Sequence, residues 1–153
     1  VGFVNFNEFI KVLFPTGQKK GKTLDQTISL EKMSSITFKT DGDKQYHLEV
    51  EDMNSNLLSA GSPGRVKKVA EYLDDTEIVE GDRGMTVVHG SFEDIDVSAF
   101  STCMGPASAS IVIPEAIEAA SDRITLLRLG TAGSLQPHVD IGDVVVAEGA
   151  IRD

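Results

Sequence analysis

The sequence is short of cysteine, of positive charge and of long apolar runs, and each shortage excludes something. Cys103 is the single cysteine, so no internal disulfide can form; this fits a reducing compartment, and a cytoplasmic location is expected. Lysine and arginine number 14 against 24 acidic residues, a formal net charge of −10. The basic residues are scattered except for Lys19-Lys20 with Lys22 and the pair Lys67-Lys68. Nucleic acid and anionic membrane surfaces are therefore not expected as partners. No apolar run approaches the ~20 residues that a membrane helix needs. No signal peptide is read either, although the first residue is Val1 rather than methionine, so an upstream start is an expectation. No set of His, Cys, Asp and Glu has metal-ligand spacing, so no metal and no cofactor is expected.

What is present suits one domain with enough apolar content for a core, or half of a larger one. Residues 1–45 differ from the rest of the chain. Phe3, Phe6, Phe9, Ile10 and Leu13 fall at helical spacing and Pro15-Thr16-Gly17 would stop that helix. The string from Gly2 to Phe9 also resembles the second half of an EF-hand loop, with Glu8 as the last ligand. The early acidic ligands are absent, and one carboxylate does not hold calcium. A calcium-responsive protein is thus a reading that rests on Glu8 alone. The remainder of this segment is polar, with a possible strand at Ser35 to Thr40, and a partly mobile N-terminal extension is expected.

From Leu57 the pattern tightens. Asn56 to Ala60 reads as a strand, Gly61-Ser62-Pro63-Gly64 as a turn, and Arg65 to Leu73 as a helix with Val66, Val69, Ala70 and Leu73 on one face. Strands are expected at Thr76 to Glu80 and Met85 to His89, and a third through Val97, Ala99 and Thr102. A helix then starts at Ala107 and runs past Ile117 to Ala120, with Pro114 expected to kink it or end its first part. Strands at Ile124 to Leu129 and Asp143 to Val146 complete the pattern. Alternating strands and helices argue an α/β architecture, a mixed central sheet or partial barrel flanked by helices.

Two places look suited to an anion. The turn Gly61 to Gly64 leads from a strand into a helix N-terminus, which can aim backbone amides at a negative group. The run Leu126-Leu127-Arg128-Leu129-Gly130-Thr131-Ala132-Gly133 puts a cation near a strand's carboxyl end, beside a hydroxyl and glycine-freed amides. An arginine in an apolar strand wants an anionic partner, which could equally be an internal carboxylate. Without further context, Arg65 is an exposed surface residue, and His47 and Arg83 could simply face solvent. His89 and His138 read as structural or surface residues, and Cys103 as packing rather than a nucleophile.

Four strings in order carry a resemblance: Gly61-Ser62-Pro63-Gly64-Arg65-Val66; Ser101-Thr102-Cys103-Met104-Gly105-Pro106-Ala107-Ser108; Leu127-Arg128-Leu129-Gly130-Thr131-Ala132-Gly133; and Gln136-Pro137-His138 with Ile141-Gly142-Asp143-Val144-Val145. Together with Tyr46-His47-Leu48 they resemble the nucleoside phosphorylase family, most of all its uridine phosphorylase type, over residues 46–153. The resemblance implies phosphate-dependent cleavage of the N-glycosidic bond of uridine or a related nucleoside, giving free base and ribose 1-phosphate, in nucleoside catabolism and pyrimidine salvage. It implies inorganic phosphate as co-substrate, bound by Gly61, Arg65, Arg83, Arg128 and Thr131, with Arg128 and Thr131 also catalytic. Ribose falls to His47 and Thr131, and the base to Ala132 and Gly133. Arginine suits such an oxyanion because its planar fork binds oxygens bidentately and stays charged. Arg83 and His47 match residues that reach a neighbouring subunit's site, so a homodimer or hexamer is implied.

The chain also departs from the family pattern. Ser62 stands where an acidic residue is usual, Ala132 where a second hydroxyl residue is, and Gly84 where some members place a glutamate that helps bind potassium. By the same resemblance the chain is an N-terminal portion, ending before the residues that recognise uracil and grip the ribose hydroxyls. Alternatives are a non-catalytic phosphate- or nucleoside-binding relative or pairing subunit, and a purine nucleoside phosphorylase. Retained phosphate arginines speak against the nucleosidases, which use water.

Overall fold

A computed structural model describes residues 43–120 and 123–149. The expected helix over Phe3 to Leu13, the EF-hand-like string ending at Glu8 and the strand at Ser35 to Thr40 lie outside the described residues. The chain divides into two compact units, one ending at Gly130 and the other taking up the chain from Thr131.

The first unit is a five-stranded open sheet with two helices. In chain order it runs β1 (Asn56–Ala60), α1 (Pro63–Ala70), β2 (Asp74–Glu80), β3 (Thr86–Phe92), β4 (Ile95–Ser101), α2 (Gly105–Ala119) and β5 (Thr125–Leu129). The sheet order is β2-β3-β4-β1-β5. β1 pairs in parallel with β4 and with β5, whereas β2, β3 and β4 pair antiparallel. Of the expected alternatives, the mixed sheet is the one found among the described residues, and it is open rather than closed.

Side chains alternate across a strand, so each face of the sheet takes every second residue. Leu57, Val87 and Phe100 turn to one face and form a buried cluster with Val112 and Ala116 of α2 and with Leu48, Val50, Met53 and Met85. Leu58, Val88 and Ala99 are buried on alternate positions, and α1 packs on β1 to β4 through its buried Val66 and Val69. The interior strands β1 and β4 accordingly bury side chains on both faces, Ser59, Ser98 and Ser101 among them. β2 is an exposed edge.

The structure corrects two local expectations. Of the two outcomes expected at Pro114, the ending is not found: α2 is helical from Gly105 to Ala119. Proline deletes one backbone hydrogen bond, and burial of Val112 and Ala116 on either side holds the helix through the gap. The stretch Asp143 to Val146 is not a strand. Val144, Val145 and Val146 are exposed, at 52%, 74% and 81%. A strand is defined by ladder hydrogen bonds to a neighbour, and apolar sequence alone does not supply one.

The register aligns the carboxyl ends of three strands. Ala60 stands beside Ser101 on one side and beside Leu129 on the other. The next residues in each chain segment, Gly61, Thr102 and Gly130, therefore leave the sheet at a common edge, which is where open α/β sheets place ligands.

Candidate functional site

Gly61 is the hub of that edge. A β-carbon built on it would lie 3.4 Å from Arg65 Nη2, 3.4 Å from the Cys103 carbonyl oxygen and 3.8 Å from Arg128 Nη2. Two guanidinium groups from different elements thus approach one point beside a residue with no side chain. Arg65 reaches it from the first turn of α1. Pro63, with its preset φ, starts that helix, and Ser62 stands at the N-cap in extended conformation without a side-chain capping bond. Arg128 reaches the same point from β5, where it occupies the row of Ser59. Cys103 turns the chain out of β4 with a φ of 52°, in the left-handed region, and this brings its carbonyl against Gly61.

The arginines are held by neutral groups. Arg128 Nη1 donates to Thr102 Oγ1 at 2.8 Å, and Arg65 Nη1 to the Leu129 carbonyl at 3.5 Å. Among the described residues neither has a carboxylate within ion-pair distance; Lys67 pairs with Glu80, and Glu115 takes the His47 ring and not an arginine. No carboxylate among the described residues is therefore a partner of Arg128. Among the described residues β5 is the outermost strand of the sheet, and Arg128 on it is exposed. Its claim to a ligand rests on the second cation beside it and not on desolvation. Like charges drawn to one point repel, and an anion between them reverses the sign of that interaction.

His47 and Arg83 come together in a second group. Glu115, buried on α2 at 2% exposure, accepts hydrogen bonds at Oε2 from the backbone amides of His47 (3.0 Å) and Leu48 (3.2 Å). Its Oε1 lies 2.6 Å from His47 Nδ1. The Tyr46 ring meets the His47 ring edge-on, with centroids 5.0 Å apart. Arg83 lies over the Tyr46 ring at 4.6 Å and donates to its hydroxyl. The result is a row Arg83–Tyr46–His47–Glu115. No hydrogen bond or ion pair among the described residues joins this row to the Gly61 group. Nearby Gly84 has a φ of 78°, so a glutamate there would be strained as well as absent.

Thr131, Ala132 and Gly133 fall in the other unit, in irregular and exposed backbone. His89 is half-buried and its Nδ1 pairs with Ser98 Oγ at 2.9 Å; His138 is exposed. Cys103 packs against the Met85 sulfur. Among the described residues no group of His, Cys, Asp and Glu could hold a metal ion, and no helix is long and apolar enough to cross a membrane.

Sequence reasoning passed over Thr102, Tyr46 and Glu115 as site residues. Thr102 stood in one of the four resemblance strings, but nothing in the sequence tied it to Arg128. Glu115 did: a carboxylate between Val112 and Ala116 on the buried side of an apolar helix is costly unless something donates to it.

Comparison with known proteins identifies relatives of this chain. The sequence pattern of the Phosphorylase superfamily matches residues 57–153. Guanosine phosphorylase of Halorubrum lacusprofundi is 38% identical over 112 residues, covering 72% of this chain and 46% of that protein. Uridine phosphorylase of Thermococcus kodakarensis is 30% identical over 115 residues, covering 74% of this chain and 41% of that protein. A DeoD-type purine nucleoside phosphorylase of Listeria monocytogenes is 36% identical over 110 residues, covering 70% and 47%. Among solved structures, uridine phosphorylase from Vibrio fischeri ES114 aligns with a TM-score of 0.58 at 25% identity, over 70% of this chain and 42% of that one. The chain spans less than half the length of these relatives. Its matched pattern and its sheet together place it in the Phosphorylase superfamily, to which it belongs.

Proposed function

We propose that the whole protein is a nucleoside phosphorylase, with phosphate seated between Arg65 and Arg128 at Gly61. The observation that carries this reading is the convergence of two guanidinium groups on one side-chain-free position, with no carboxylate paired to either among the described residues. In the reaction, a phosphate oxygen forms a bond to the anomeric carbon as the bond from that carbon to the base nitrogen breaks. The electron pair leaves with the base, which takes up a proton, and the products are free base and ribose 1-phosphate. Charge on the sugar rises toward an oxocarbenium ion, and a dianion held nearby by planar, permanently charged groups stabilises it.

Thr102 orients Arg128 through the bond to Nη1. Thr131 is assigned to phosphate and ribose, and Ala132 and Gly133 to the base. Arg83 and His47 are assigned to the site of a neighbouring copy; in support, Tyr46 gathers both into one row with no described link to the Gly61 arginines. The assembly is then a homodimer, or a hexamer built from such dimers, in the cytoplasm.

Uridine is the first substrate to test. Guanosine is the second, because a relative at 38% identity is named a guanosine phosphorylase. The test is release of base from each nucleoside by the whole protein, with and without inorganic phosphate. Phosphate-dependent release with ribose 1-phosphate as co-product is expected. Release at the same rate without phosphate would make the protein a hydrolase. Phosphate binding with no release from any nucleoside would make it a non-catalytic relative.

A further inference from the structure

Glu115 has three donors and two oxygens. Oε2 is occupied by the amides of His47 and Leu48, and Oε1 faces the imidazole Nδ1 at 2.6 Å. A carboxylate only accepts, so the proton between Oε1 and the ring belongs to Nδ1. In the neutral imidazole the other nitrogen, Nε2, then carries a lone pair. The His47 side chain is one-fifth exposed, and Nε2 has no partner among the described residues. The ring cannot easily turn away: its own backbone amide is tied to the same carboxylate, and Tyr46 stands edge-on against it.

We infer that Glu115 is a positioning residue that fixes the tautomer and direction of His47, so that Nε2 is offered as an acceptor to a hydroxyl of the nucleoside sugar. This rests on the reading of His47 as the contact to the ribose 5′-hydroxyl. A purely structural role for Glu115, tying the 47–48 backbone to α2, would use Oε2 alone.

Glu115→Gln separates the two roles. Two backbone amides converge where Oε2 now stands, so the glutamine oxygen must take that place and its NH2 must face the ring. The backbone ties survive, while Nδ1 now meets a donor and has to become the acceptor. The proton moves to Nε2. Long-range proton–nitrogen NMR of the His47 ring in the whole protein is expected to show Nδ1–H in the parent and Nε2–H in the variant. Nε2–H in the parent, or the same tautomer in both, overturns the inference, and this result does not depend on any activity.

The kinetic test uses a nucleoside and its 5′-deoxy analogue. Glu115→Gln makes Nε2 a donor, so the sugar hydroxyl must turn from donating to accepting, and KM for the nucleoside is expected to rise by up to about fivefold, with little change in kcat and none for the analogue. His47→Ala run beside it separates the failures. If His47→Ala treats the two substrates alike, the ribose contact is wrong. If His47→Ala discriminates between them and a tautomer-switched Glu115→Gln does not, the positioning role is wrong.

Discussion

The two edges of the sheet are written in opposite styles. β2 is acidic, carrying Asp74, Asp75, Glu77 and Glu80, and its pairing with β3 is broken by a register shift between Asp74 and Glu77. Charge and a bulge are common ways to blunt an edge against unwanted strand pairing. β5 reads Thr-Leu-Leu-Arg-Leu and has the composition of an interior strand; it is the outermost strand among the described residues, and in this chain, which spans less than half of its relatives' length, most of it is exposed. The contrast sharpens across one register row, where Leu57 of β1 and Leu126 of β5 are neighbours with 1% and 36% exposure. Place in the sheet, rather than the strand's own apolarity, decides what is buried. The difference also bears on the site, because the edge strand is the one that delivers Arg128.

The contrast between interior and edge can be broken at several points. Leu57→Ala is expected to cost the most, ~2 to 5 kcal/mol of stability by urea unfolding, because it opens a cavity beside Phe100 and α2. Arg128→Ala should leave the unfolding midpoint almost unchanged but weaken phosphate in the whole protein by ~1.5 to 3 kcal/mol, a roughly ten- to hundredfold rise in phosphate KM. Unchanged phosphate kinetics would remove Arg128 from the site. Thr102→Val deletes the hydroxyl that holds Arg128 Nη1, and a rise of about fivefold in phosphate KM is expected from ~1 kcal/mol. Leu126→Ala should be the mildest in this unit, below ~1 kcal/mol, since much of the side chain already meets water. Equal losses for Leu57→Ala and Leu126→Ala would mean that β5 is covered in solution.

The local elements were legible where sequence pattern and sheet position agree. β1 was expected at Asn56 to Ala60 and is found there, and α1 differs from expectation by two or three residues at its ends. Arg65 and Arg128 were expected to share an oxyanion; the structure brings both guanidinium groups near Gly61, and the phosphate kinetics above test whether an oxyanion binds there. Asp143 to Val146 misled because four apolar-rich residues look alike whether or not a neighbour supplies a ladder. Glu115 was missed for a related reason: its donors come from residues 47 and 48, far away in the chain.

By itself the sequence determined which segments are strands and helices between residues 56 and 129, through alternation, turn residues and the two apolar faces, and it supplied the motif strings that mark the family. Only the tertiary structure decided that β5 is the outermost of the described strands, that Arg128 leans on Thr102, and that Arg83, Tyr46, His47 and Glu115 form one row. Those are contacts between residues distant in sequence, and they depend on strand order and register, which no local pattern encodes.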